Sequence, residues 1–226
     1  KLLDALHQRY LRRQYGIMSD TGSLKAILGQ GLNSFETNAV VMFIDIRGFT
    51  KWSSDKHPDE IMSLLSVQHG FVAKIINSNG GRVNKIFGDG MLAYFKDDYI
   101  DQSIRIANEI HRELDTYQLL PVGIGMDYGK ITMGDMGQED RLDYTLIGSP
   151  VNWASRLCDC AGKKETVINM SLFEKLNDDL KKIIHSLDSR RKIKVQGKSS
   201  EPEFDAIKFG ACDPDNVDIS PFNYTI

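Results

Sequence analysis

Apolar positions along this chain follow two rhythms, one of period two and one of period 3.6. Ala39 to Ile46 carries an unbroken apolar run, Val40 to Ile44, and predicts a buried strand that closes on the carboxylate Asp45. Pro58 suits the first turn of a helix, and Ile61, Leu64, Leu65, Phe71, Val72, Ile75 and Ile76 then mark an amphipathic helix running to Asn79-Gly80-Gly81. Alternation resumes over Val83–Phe87 and Met91–Phe95, which predicts two strands around the turn Gly88-Asp89-Gly90. That alternation places Lys85 on the same strand face as Val83 and Phe87. Ile104, Ala107, Ile110 and Leu114 put a second helix over 100–119, and Val122–Tyr128 with Lys130–Met133 read as a hairpin turning at Gly129.

The resulting order, β-α-β-β-α-β, predicts an α+β fold with a ferredoxin-like core, a sheet with its helices on one face. C-terminal additions follow: a strand over Leu142–Ile147, a helix over Pro150–Ala161, a short strand Thr166–Asn169 and a helical segment Leu172–His185. Two closing strands, Lys192–Gln196 and Glu203–Phe209, complete the pattern. Ahead of the core, residues 1–16 predict a helix with Leu3, Leu6 and Tyr10 on one stripe, ended by Gly16, and Leu24–Leu28 a short second helix. The chain thus divides into a linker helix and connecting helix (1–36), one domain (37–210) and an irregular tail (211–226). It opens on Lys1 rather than Met, so it is expected to be a piece of a longer protein.

Composition narrows the class without naming a function. The 226 residues are 41% hydrophobic and 26% charged, ordinary values for a globular domain of this length. A net charge of -3 gives no general pull toward nucleic acid or an anionic membrane. No apolar run approaches the ~18 residues of a membrane span and no signal peptide opens the sequence. A cytoplasmic setting is expected, with no direct membrane contact from this segment. Cys158, Cys160 and Cys212 make no even disulfide framework and lack the spacing of a zinc site. The five histidines are scattered and show no metal-ligand spacing.

Three blocks place polar residues where packing alone would not want them. Asp45 and Asp89 end adjacent predicted strands beside the glycine-bearing turn Ile46–Thr50, an arrangement able to hold a divalent cation and cradle phosphates. Turn chemistry alone also favours Asp and Gly at such positions. Lys85 interrupts the apolar strand Val-Asn-Lys-Ile-Phe, either snorkelling at an edge or donating to a ligand. Asn152 and Arg156, four apart on one predicted helix, share a face; they are either solvated or convergent on one substrate.

Taken in order, F-I-D-I-R-G-F-T, N-K-I-F-G-D-G-M-L-A-Y-F, G-I-G-M-D-Y-G and D-Y-T-L-I-G-S-P-V-N-W-A-S-R-L resemble the class III nucleotidyl cyclase catalytic domain over roughly residues 37 to 209. The resemblance implies that Asp45 and Asp89, with the Ile46 carbonyl, bind two divalent cations (Mg2+ or Mn2+), and that the Phe49–Thr50 turn holds a triphosphate. It assigns base selection to Lys85 and Thr145, the adenine-reading combination, ribose orientation to Asn152 and transition-state charge to Arg156. ATP is the implied substrate, a symmetric homodimer the implied assembly, and an upstream sensor domain the implied partner of the N-terminal helix. Two departures stand out. Pro121 replaces a phosphate-binding arginine common in relatives, and Gln196 stands where many place a lysine, with Lys194 or Lys198 as possible substitutes. Guanylate cyclase and a catalytically silent cyclase-like module remain the competing expectations. A diguanylate cyclase is disfavoured, because Gly88-Asp89-Gly90 lacks a second acid.

Overall fold

The first strand, β1 (Phe35–Ile46), is the spine of the molecule. Its even-numbered residues Val40, Met42, Ile44 and Ile46 are buried under helices. Its odd-numbered Ala39, Val41 and Phe43 face the opposite side of the sheet. This is the two-sided burial of a central strand. The computed structural model describes residues 34–138, 141–187, 191–195 and 204–210. The expected helices before residue 34, Gln196, Lys198, Cys212 and the 211–226 tail lie outside those residues.

After Gly48, in the left-handed region at φ 82°, comes the short helix α1 (Phe49–Ser53). Helix α2 (Pro58–Ser78) starts on a His57 cap that accepts from the Asp59 N–H, and ends before Gly80 at φ 84°. Strands β2 (Gly81–Phe87) and β3 (Gly90–Lys96) follow, then a 3-10 turn (Asp97–Tyr99) and helix α3 (Ile100–Thr116). The remaining elements are β4 (Val122–Gln138), β5 (Arg141–Ile147), α4 (Ser149–Cys160), β6 (Glu165–Asn169), α5 (Met170–Lys175), α6 (Asp178–Ser186), β7 (Arg191–Val195) and β8 (Phe204–Gly210).

The sheet order is β2-β3-β1-β4-β6-β8-β7, with β5 paired to β4 off this path. Its first four strands are antiparallel neighbours and form the expected ferredoxin-like core. Helices α2 and α3 cover the face of Met42 and Ile44 through Val72, Ile76, Ile106 and Ile110. The other face carries α4, whose Ala154 packs with Val41, Leu92 and Ile131.

Three local expectations change. The hairpin at Gly129 is absent, because β4 runs straight through and pairs Gly129 with Ala39. Gly129 serves packing instead: Pro150 of α4 lies 3.0 Å from where a Cβ would stand. The helical segment Leu172–His185 is two helices, since Leu176 is extended and the Asn177 side chain caps α6 by accepting from the Leu180 N–H. Finally, Lys85 does not share a face with Val83. A bulge at Asn84 lets Val83 pair with Ala93 and Lys85 with Leu92. One extra residue inverts the alternation, so Val83 packs with the helix-covered core while Lys85 and Phe87 turn to the α4 side.

Candidate active site

Asp45 occupies the last turn of alternation on β1, between Gly90 of β3 and Gly123 of β4. Both glycines clear space for a neighbour's side chain. A Cβ on Gly90 would strike the Phe87 ring, and one on Gly123 would strike the Arg47 guanidinium. Asp89 sits one residue from Gly90, in the turn that β2 and β3 share. Burial raises the Asp45 pKa, the nearby Asp89 carboxylate raises it further, Arg47 opposes both, and Asp159 adds a smaller upward push. Two carboxylates close enough to feel each other, partly shielded from water, form a hard oxygen donor set that suits Mg2+ or Mn2+. Ile46 is buried in the core by its side chain, so its carbonyl alone can join that set.

Helix α2 fixes both loops around the pair. His69 Nε2 donates to the Gly88 carbonyl at 3.0 Å, anchoring the Asp89 turn. Gln68 Nε2 donates to the Leu120 carbonyl at 2.9 Å while its Oε1 accepts from the Leu120 N–H at 3.1 Å, anchoring the approach to β4. Both residues are buried, and neither was singled out by sequence reasoning. The available signal was two polar residues on the buried stripe of an amphipathic helix.

Phe49 and Thr50 follow Gly48 directly and open α1. The Phe49 ring stacks on Trp52 at 6.0 Å, and Thr50 is exposed. The nearest group to a Cβ built on Gly48 is Lys163 Cε at 3.9 Å, so a cation lies beside this turn. Lys85 is half-buried on β2. The Asn84 Nδ2 donates to the Tyr144 carbonyl at 3.1 Å, tying β2 to β5 one residue from Lys85 and one from Thr145. The bulged residue Asn84, which turns Lys85 to the α4 side, therefore also holds this strand beside that of Thr145. Asn152 and Arg156 both lie on α4, with the Arg156 guanidinium 4.6 Å from the centre of the Trp153 ring. The α4 backbone presses onto β4 where Gly125 has no side chain, since a Cβ there would strike the Cys158 N and the Ala154 carbonyl.

The Cys158 thiol is buried and its pKa is pushed up to about 12, chiefly by that burial, so it is a packing group and no nucleophile. Among the described residues no group of three or more His, Cys, Asp or Glu is placed to hold a metal ion.

A ferredoxin-like sheet hosts many unrelated functions, and comparison with known proteins identifies the family of this chain. The adenylate and guanylate cyclase catalytic domain matches residues 33–206, and the chain belongs to that family. An adenylate cyclase of Anabaena cylindrica is 29% identical over 202 residues, 77% of this chain and 39% of that protein. An uncharacterised protein of Mycobacterium tuberculosis is 32% identical over 139 residues, 58% of this chain and 25% of that protein. The chain thus spans well under half the length of these relatives. Among solved structures, the adenylyl cyclase CyaB of P. aeruginosa superposes with a TM-score of 0.69 at 22% identity, covering 81% of this chain and 99% of that one. The guanylyl cyclase Cya2 superposes with 0.65 at 23% identity, covering 81% and 98%. The shared fold is therefore that of adenylyl and guanylyl cyclases alike. Among the described residues no helix is long and apolar enough to cross a membrane.

Proposed function

We propose that this domain is an adenylate cyclase, converting ATP to 3′,5′-cyclic AMP and pyrophosphate at the interface of a homodimer. The observation that carries the reading is the placement of Asp45 at the end of β1, paired with Gly90, beside Asp89 in the β2–β3 turn. These carboxylates, with the Ile46 carbonyl, would hold two divalent cations, which when bound supply charge neutralisation for the triphosphate and a lowered pKa for the ribose 3′-hydroxyl.

The residues of the chain bind, orient and stabilise. The 3′-oxygen forms a bond to the α-phosphorus, the bond to the bridging oxygen breaks, and pyrophosphate leaves with that electron pair while the hydroxyl proton passes to solvent. Backbone N–H groups at Phe49–Thr50 cradle the phosphates. Lys163 brings a cation to that same turn, which offsets the arginine that Pro121 replaces. Lys85 donates to an adenine ring nitrogen and the Thr145 hydroxyl accepts from the exocyclic amine. Guanine offers a protonated nitrogen and a carbonyl at that edge, so the pair disfavours it. Asn152 orients the ribose, and Arg156 stabilises charge growing on the α-phosphate.

Exposed apolar residues support the assembly. Ile86, Phe87 and Ile147 are 53%, 47% and 53% exposed, and they border Lys85 and Thr145. A second copy covering this rim would set its base-reading residues against the first copy's carboxylates. In a longer protein the domain would serve as the output of an upstream sensor.

Subunit mixing tests the reading. Asp45→Ala and Arg156→Ala variants are each expected to be nearly inactive with ATP. Their mixture should regain cyclic AMP synthesis, because each mixed dimer contains one intact site. No gain on mixing, with wild type active, would refute the shared site; an inactive wild type would refute the enzyme.

A further inference from the structure

The side chain that contacts Asp45 most directly is one the cyclase reading leaves without a role. Arg47 follows Asp45 by two residues and so leaves β1 on the same face. Its Nη1 donates to Asp45 Oδ2 at 2.9 Å. Its Nη2 donates to the Cys158 carbonyl on α4 and lies 3.3 Å from the Cys158 sulfur. Its own backbone N–H donates to the Pro121 carbonyl at 2.8 Å, continuing the β1–β4 ladder past Val122. The guanidinium lies over Gly123, in a slot that any larger residue would fill.

We propose that Arg47 is a positioning residue that fixes the Asp45 carboxylate for its cation, itself held by α4 and by the Gly123 slot. The proposal rests on the reading of Asp45 as a metal ligand. Three observations carry it. One arm of the guanidinium, Nη1, holds one carboxylate oxygen while the other arm is tied to the Cys158 carbonyl, which sets the Asp45 rotamer and leaves its second oxygen for coordination. The Arg47 side chain is 19% exposed against 38% for Asp45, so the clamp lies deeper than the group it holds. Among the described residues the Nε–H has no hydrogen-bond partner and lies against Gly123, so the guanidinium is held by its two Nη contacts and by that slot. The clamp also explains the first glycine of Gly123-Ile124-Gly125, just as the α4 backbone explains the second.

Two substitutions reach this clamp by independent routes. Arg47→Lys keeps the positive charge and removes the fork. Gly123→Ala leaves Arg47 and Asp45 intact and evicts the guanidinium from its slot. Mn2+ binding is followed by electron paramagnetic resonance, with an unreactive ATP analogue present, alongside KM for ATP at saturating Mn2+ and thermal melting. Each variant is expected to weaken Mn2+ binding roughly 10–100-fold, the range for losing a residue that orients a metal ligand. KM at saturating metal should change less than about threefold, because the nucleotide contacts lie elsewhere. The double variant should bind Mn2+ no worse than the weaker single one, since both remove one interaction. Unchanged Mn2+ binding in the variants, or losses that multiply in the double variant, would overturn the proposal. If Arg47→Lys fails to fold, Gly123→Ala alone decides by the same criterion. Asp45→Asn, titrated in parallel, separates the two levels: intact Mn2+ binding in that variant would remove Asp45 from the metal site and the underlying reading with it.

Discussion

Replacing Asp127 with asparagine should make this domain more stable at neutral pH and leave it unchanged in mild acid. Asp127 lies in the middle of β4, 3% exposed. Its Oδ1 accepts from the Tyr128 N–H at 2.9 Å and from the Ser171 hydroxyl at 3.1 Å. Burial nevertheless pushes its pKa up from 3.8 to about 6, against the opposing bonds from Tyr128, Ser171 and Asn169. Because the folded value lies above the unfolded one, the unfolded chain ionises first as pH rises, and folding loses free energy between about pH 4 and 6. At pH 7 the accumulated cost is about 3 kcal/mol. Asparagine removes the charge and keeps Oδ1 for Tyr128 and Ser171. It gives up the bond from Asn169, worth about 1 kcal/mol. A net gain of about 2 kcal/mol is therefore expected at pH 7, falling to about zero near pH 4.5.

Buried His111 complicates the wild-type profile in the opposite sense. Burial holds its pKa down at about 4, with Lys164 adding to the effect, so its contribution is lost as pH falls from 6.5 through 4. The two contributions oppose each other across the same window, and the raised carboxyls of Asp45 and Glu109 add to that of Asp127, so the wild-type profile isolates none of them. Urea unfolding of wild type and Asp127→Asn at pH 7 and 4.5, followed by circular dichroism, isolates the Asp127 term as a difference. A variant less stable than wild type at pH 7, or a difference equal at both pH values, would refute the reasoning.

Other outcomes follow from the same geometry. Arg156→Ala should lower kcat with ATP by about 10²–10³, the usual loss of one charge-stabilising donor, and Asp45→Ala should nearly abolish turnover, both read by cyclic AMP formation. Gly125→Ala forces a Cβ into the α4 backbone, where no rotamer change relieves it; a loss of about 1–3 kcal/mol is expected in thermal melts, with a parallel fall in kcat as Asn152 and Arg156 shift. If Lys85 reads the base as proposed, Lys85→Glu should lower kcat/KM for ATP and narrow the ratio of ATP to GTP, measured in competition, because a carboxylate accepts hydrogen bonds where an ammonium donates them.

Much of the fold was legible because periodicity survives in the sequence wherever one face is buried. The strand ending on Asp45, the stripe from Ile61 to Ile76 and the Gly88-Asp89-Gly90 turn all fall where the apolar pattern put them. Strict alternation failed at Asn84, where a single bulged residue reversed the face of Lys85 without altering the composition of the strand. Gly129 misled for a related reason. Glycine marks both turns and close approaches, and only the position of Pro150 distinguishes them. The helical run from Leu172 hid two helices, because Asn177 reads as an ordinary polar position until its side chain is seen capping α6. Within the candidate site, Asp45 and Asp89 stood out in the sequence at a strand end and in a glycine turn. Arg47, Gln68 and His69 did not, since their roles depend on contacts to Cys158, Leu120 and Gly88, which lie far from them in sequence or across a turn.

One measurement addresses both the choice of base and the cyclisation. Purified protein incubated with equal concentrations of ATP and GTP, each with Mg2+ or Mn2+, is resolved by chromatography for cyclic products and pyrophosphate. Cyclic AMP with stoichiometric pyrophosphate, in clear excess over cyclic GMP, is the expected result. Predominant cyclic GMP would contradict the roles of Lys85 and Thr145, and no cyclic product from either nucleotide would contradict the enzyme itself.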